Sequence, residues 1–244
     1  MQASDRPSPA RNRVRPWIAA KALVRTFRDE DSTEAGARFV SALDGNTRER
    51  NFQRFRSDPI GARILAERPS LVDRLCDREG LRALPEGTLG RAYLEFVEAE
   101  QISSEGLLEV VREASTRGDL DEERRFAEAR FVCMHDLAHV ATGYSRDILG
   151  ELALMSFTFQ QDRIPGFAVF LGLAYAFGGL RVPGTRELIR HGWKRGRDAV
   201  WLRAQNWEEL LELPLEEVHE RLRIGPPPVY TRQLKVGNEV VAEA

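Results

Sequence analysis

An all-α fold in a single globular multi-helix domain is what this sequence predicts, on three observations. Apolar residues recur at helical spacing almost from end to end. No alternating run bounded by tight turns marks a strand-rich region. No internal repeat divides the 244 residues, a length near the upper end for one hydrophobic core.

The elements follow in chain order. Residues 1–15 are polar, Arg-rich and punctuated by Pro7 and Pro9, without the apolar stretch of a secretory signal. They predict a disordered tail; an organellar transit peptide is the alternative, weakened by Asp5 and the two prolines. The helical domain is expected over 16–226. Trp17, Ile18, Ala22, Leu23, Val24 and Phe27 make its first apolar face. Asp31 or Ser32 can cap a second helix carrying Phe39, Val40 and Leu43. The pattern continues through Ile64 and Leu65, Leu71 to Leu75, Leu89 to Val97, Leu107 to Val111, and Phe126 to Val140. Asp121-Glu122-Glu123 reads as the start of that last helix, acidic where the helix dipole favours negative charge. Gly225 to Pro228 ends the final helix, because proline lacks the amide donor, and 227–244 is expected to be an extended tail.

Ile164 to Leu180 is nearly continuous in apolar residues, flanked by Arg163 and Arg181. Its length is at the lower limit for spanning a bilayer, and Pro165 with Gly166, Gly172, Gly178 and Gly179 argues against a robust span. We read it as a central helix buried on all sides. The alternative is a wall of a lipid-binding groove, or an interfacial segment.

Net charge is −2, from 36 Lys and Arg against 38 Asp and Glu, so the chain lacks the basic excess that nucleic-acid binding exploits. Cys76 and Cys133 are far apart, which suggests neither a disulfide framework nor a thiolate zinc site.

The chemistry concentrates in His135, Asp136, His139 and Glu151. Residues four apart share a helix face, so His135 and His139 can offer two ring nitrogens to one ion. Glu151 lies twelve residues beyond His139, roughly 18 Å along a straight helix, so the chain must turn back for it to join them. Thr142 to Asp147, with Gly143, is the expected reversal, and Asp147 or Ser145 the cap of the next helix. Two imidazoles with one or two carboxylates suit Zn²⁺ and equally suit non-haem Fe²⁺. Two histidines hydrogen-bonded in an ordinary helix pair are the plainer reading, but only four histidines occur in the chain and two carry this spacing.

The stretch His135-Asp-Leu-Ala-His139-Val-Ala-Thr-Gly-Tyr144, closing on Gly150-Glu151, resembles the signature of the coenzyme Q (ubiquinone) biosynthesis protein 4 family. So do Leu84-Pro85, Leu89-Gly90, Tyr93 and Phe96 upstream, and Trp207-Glu208 with Pro214-Leu215 downstream. The resemblance runs from about Lys21 to about Ile224. It implies metal-dependent oxidative decarboxylation at carbon 1 of a polyprenylated hydroxybenzoate, with the isoprenoid tail in an apolar groove. It also implies a divalent metal on His135, Asp136, His139 and Glu151, which would be the catalytic residues too, with Asp136 a ligand, an outer partner or a base. Zinc would only orient and polarise, leaving the oxidant to come from elsewhere, whereas iron would add redox chemistry with dioxygen. A homodimer is implied, together with peripheral attachment to the inner membrane, from the cytoplasm in a bacterium or within the mitochondrion in a eukaryote, and association with other ubiquinone-biosynthesis proteins.

Tyr144 and Arg146 are candidates for contact with a ring hydroxyl or carboxylate, or else turn packing and a surface charge. His191, Trp193, Arg195 and Arg197 read as a solvated helix face, or as a basic patch on a membrane. Two other metalloenzyme classes fit less well. A zinc peptidase would carry Glu where Asp136 stands, and a His-Asp phosphohydrolase needs histidine upstream of His135, where none occurs. The non-enzymatic alternative is a lipid-binding scaffold for quinone-modifying enzymes, with a structural metal.

Overall fold

A computed structural model describes residues 14–28, 33–115, 120–180, 182–226, 228–236 and 239–242. Short polar side chains set six of the helix starts. Asp58, Ser70, Asp77, Thr88, Asp121 and Asp147 each accept a hydrogen bond from a backbone amide of the first turn that follows them. In order, the helices are α1 (Pro16–Arg28), α2 (Thr33–Leu43), α3 (Thr47–Ser57), α4 (Pro59–Glu67), α5 (Leu71–Cys76), α6 (Arg78–Ala83) and α7 (Leu89–Ala99). Next come α8 (Ser104–Ser115), α9 (Glu122–Thr142), α10 (Ile148–Asp162), α11 (Pro165–Phe177), α12 (Thr185–Asp198), α13 (Trp207–Leu210) and α14 (Leu215–Leu222). The all-α expectation holds. The proposed capping pair Asp31 and Ser32, and residues 1–13, lie outside the described residues.

The long α9 is the axis of the fold, touched by α4, α5, α7, α8, α10 and α14. Its Cys133, Met134, Leu137 and Ala141 join Tyr93 and Val97 of α7 and Leu222 of α14 in the largest apolar cluster. Full burial of a side chain of this size contributes about 1.5–3 kcal/mol, so this cluster holds the helices around α9. Arg130 of α9 is itself buried. It donates to both carboxylate oxygens of Glu208 at 2.6 and 2.7 Å and to the Gln205 carbonyl, so the Trp207-Glu208 segment is tied to the central helix.

Against the other side of this layer, α10 packs along α12 with unusually close backbones. A Cβ added at Gly192 would stand 2.0 Å from the Ala153 carbonyl oxygen, and one at Gly196 would stand 2.3 Å from that of Phe157. Only glycine permits that approach.

One sequence expectation is corrected by the packing. The apolar α11 is not buried on all sides: only Gly166 and Leu171 are buried, while Val169 and Phe177 are 43% and 64% exposed. It covers part of α2, α10 and α12 and leaves its remaining face open, because no further helix lies beyond it among the described residues. Among the described residues no helix is long and apolar enough to cross a membrane. Within 227–244, β1 (Gln233–Val236) pairs antiparallel with β2 (Glu239–Ala242), Gln233 opposite Ala242.

Candidate metal centre

The turn between α9 and α10 brings His135, His139 and Glu151 together. Gly143 ends α9 in the left-handed conformation at φ 70°, and Asp147 starts α10 by accepting from the Leu149 and Gly150 amides. Glu151 therefore sits in the first turn of α10, facing back across the pair. One ligand atom from each of the three residues lies within 4.8 Å of the other two. His139 Nε2 stands 3.4 Å from one Glu151 oxygen and His135 Nε2 stands 4.0 Å from the other. Asp136 supplies no atom to this cluster. Burial first, and the Asp136 charge second, raise the pKa of the Tyr93 hydroxyl on α7.

The tautomer of His139 follows from its hydrogen bond. Its Nδ1 is 2.8 Å from the Tyr144 carbonyl oxygen, which can only accept, so Nδ1 carries a proton and the neutral ring has its lone pair on Nε2. That Nε2 is buried without a hydrogen-bond partner, its 3.4 Å contact with Glu151 being too poorly directed to count. A lone pair thus faces a carboxylate. Two acceptors at such a distance need a positive species between them, and a second imidazole converging on the same carboxylate suits a divalent ion better than a single proton. The donor set fits such a metal.

Electrostatics agree with this arrangement. Burial pushes the Glu151 carboxyl up, but a positive charge on His139 and His135, together with the Arg146 guanidinium, outweighs it and holds the group below its ordinary range, so the carboxylate is stabilised by whatever cation, proton or metal, the imidazoles share with it. His135 is held below the usual imidazole range, first by desolvation and then by His139, although more than half of its side-chain surface remains open. A neutral imidazole is the form a metal takes. Phe96 of α7 stacks on His139 at 5.8 Å and 20°, fixing the ring from its other side.

Other candidates fall out differently. Tyr144 is fully buried, its hydroxyl 2.9 Å from His191 Nδ1, so its side chain packs the turn and does not face a ligand. Arg146 is exposed and close enough to act on both His135 and Glu151. Arg195 is not on the surface: it is buried and donates to the carbonyls of Thr142, Ile224 and Gly225, pinning the end of α9. Its place was readable from spacing, since Leu188, Ile189, Gly192, Arg195 and Gly196 form one buried stripe. Tyr230 carried no signal at all. Its hydroxyl nonetheless donates to Asp147 and accepts from the Ser145 amide.

A cavity of about 150 Å³ between α2, α3 and α9 is lined by Asp44, Arg48, Glu128 and Arg203 as well as by Val40 and Phe131. Its charges do not suit a long isoprenoid chain.

The sequence model of the family described as coenzyme Q (ubiquinone) biosynthesis protein Coq4 matches residues 16–228, which include the three converging side chains but not Tyr230. The rat (Rattus norvegicus) ubiquinone biosynthesis protein COQ4 homolog, named as mitochondrial, is 33% identical over 183 residues, 73% of this chain and 66% of that protein. The human protein of the same name is 30% identical over 226 residues, 88% of this chain and 78% of its own length. The chain thus spans slightly less than two thirds of the rat protein. A crystal structure described as a ubiquinone biosynthesis protein of Nostoc punctiforme shares the fold, with TM-score 0.61 at 20% identity, over 88% of this chain and all of that one.

Proposed function

Because the chain belongs to the coenzyme Q (ubiquinone) biosynthesis protein Coq4 family, we propose that it acts in ubiquinone biosynthesis as a metal-dependent enzyme on a polyprenylated hydroxybenzoate. The reaction is oxidative decarboxylation at ring carbon 1. The carbon to carboxylate bond breaks, carbon dioxide leaves and a hydroxyl takes its place, a two-electron oxidation that consumes an external oxidant such as dioxygen. The observation that carries this reading is the buried, unpartnered Nε2 of His139 facing Glu151 beside His135.

His135, His139 and Glu151 would hold the ion, with Asp136 close by as an outer partner or base. A bound Zn²⁺ or Fe²⁺ would supply a positive centre to bind and orient the ring carboxylate, and iron would add redox capacity. The Tyr144 carbonyl keeps His139 in the tautomer that presents Nε2, and Phe96 keeps its ring plane. Arg146, exposed beside the cluster, offers a planar cation to a carboxylate entering from solvent.

The isoprenoid tail and a membrane surface are matched to α11. Ile148 and Met155, one turn before and after Glu151, pack in the same cluster as this helix, so its apolar face runs alongside the metal centre. Exposed Val169 and Phe177, with Trp193, Arg190 and Lys194 of α12 exposed as well, make an apolar and cationic surface suited to an anionic bilayer. Peripheral attachment to the inner membrane, a homodimer and association with other enzymes of the pathway belong to the same reading.

The test is turnover. Purified chain loaded with Zn²⁺ or with Fe²⁺ is given a prenylated 4-hydroxybenzoate labelled in its carboxyl carbon, under air. Release of labelled carbon dioxide with formation of the hydroxylated ring supports the enzyme; lipid bound without turnover by either form would leave the scaffold.

A further inference from the structure

Four donors converge on the Asp147 carboxylate, and two of them come from a segment more than eighty residues away. The Leu149 and Gly150 amides cap the helix from within, at 3.2 and 3.3 Å. The Tyr230 hydroxyl donates to Oδ1 at 2.7 Å and the Gln233 amide to Oδ2 at 2.9 Å. Asp147 and Gln233 are both buried. The same Tyr230 hydroxyl accepts from the Ser145 amide at 3.1 Å, so one oxygen bridges two residues of the turn that joins α9 to α10.

That turn sets the metal centre. Its Tyr144 carbonyl fixes the His139 ring, and its Asp147 fixes the start of α10, from which Glu151 projects. Gly150 is cut to fit the same bridge. A Cβ there would stand 2.6 Å from the Tyr230 hydroxyl and 1.9 Å from the Ser145 carbonyl, so the residue directly before the metal-facing Glu151 must be small for Tyr230 to dock.

We propose that the segment from Tyr230 to Gln233 is a clamp on the α9–α10 turn, with Tyr230 a positioning residue that holds Glu151 at the distance from His135 and His139 that a divalent ion needs. This rests on the reading of those three residues as a metal site. Tyr230 touches neither metal nor substrate; it acts through Ser145 and Asp147. Without its hydroxyl the Ser145 amide loses its acceptor and Asp147 one of its four donors, so the turn relaxes and the first turn of α10 with it.

The experiment uses the full chain with Zn²⁺ and, in a parallel anaerobic titration, Fe²⁺, with the dissociation constant taken by competition against a chelating indicator and the melting temperature taken with and without metal. Tyr230→Phe removes one hydroxyl from a half-buried ring. Gln233→Pro removes the other donor at the first residue of a strand, where proline is tolerated. Both variants are expected to bind Zn²⁺ roughly tenfold more weakly, the lower end of what partners behind metal ligands contribute. Their metal-free melting should fall by only a few degrees, as one lost hydrogen bond in a chain of this size implies, so that the weaker binding is read on folded protein. If all three chains bind equally, the clamp is wrong and the metal site stands. If the wild type itself binds no Zn²⁺ or Fe²⁺, the metal reading falls and the clamp with it. Should one variant fail to fold, the other decides.

Discussion

Asp162 and Glu151 stand at opposite ends of α10, and their surroundings differ in the way that separates a structural polar cluster from a chemical one. Asp162 accepts from the Trp201 indole at 3.0 Å and from the Arg203 guanidinium at 2.7 Å, and its carbonyl takes the Asn51 amide at 3.1 Å. Each of its oxygens has a donor. Glu151 faces two imidazole nitrogens, one of which carries its proton on the far side of the ring. Both carboxylates lie at helix ends beside cationic or ring groups, so burial and charge alone do not mark function. A set of acceptors with no donor among them does, because its desolvation is uncompensated until a cation arrives.

Breaking each cluster should therefore have opposite consequences. The largest effect is expected from His139→Ala, which removes the buried ligand: metal retention, read as metal per chain by elemental mass spectrometry, and turnover should both be lost. Full activity in that variant would remove the metal-centred mechanism. Asp162→Ala should lower stability to urea by about 2–3 kcal/mol while the folded fraction still binds metal normally. The figure is below that for a fully enclosed pair because Arg203 is partly exposed. Metal binding lost in step with Asp162 would show that the two ends of α10 are not independent.

Glu151→Gln sharpens the contrast. Metal affinity should collapse, yet the metal-free protein should gain about 1 kcal/mol, because the amide can donate to the orphaned Nε2 where the carboxylate cannot. Denaturation of both chains in chelator measures this; a loss of stability instead would mean that a proton already fills the gap. The smallest effect on folding belongs to the open face of α11. Phe177→Ser should change stability by no more than about 0.5 kcal/mol and still reduce retention on anionic vesicles, which sedimentation with lipid would read. Unchanged retention would detach that face from the membrane.

The sequence alone determined the parts governed by short-range geometry. The helical periodicity, the acidic start of α9 at Asp121, the Asp147 cap, the Gly143 reversal and the His135 and His139 spacing all depend on residues within a few positions of one another, and all stand where expected. Glu151 belonged with the histidines as soon as the turn was recognised. Tertiary structure decided the rest. It set α11 at the surface, because a helix apolar on every side carries no periodic signal to say which face, if any, is covered. It turned Arg195 inward, stacked Phe96 on His139 and left Asp136 out of the ligand cluster. It also brought Tyr230 onto the turn beneath the site. Each of these rests on contact between residues dozens of positions apart, or on what fails to cover a face. Local spacing holds no record of which distant neighbour will donate, stack or leave water in place.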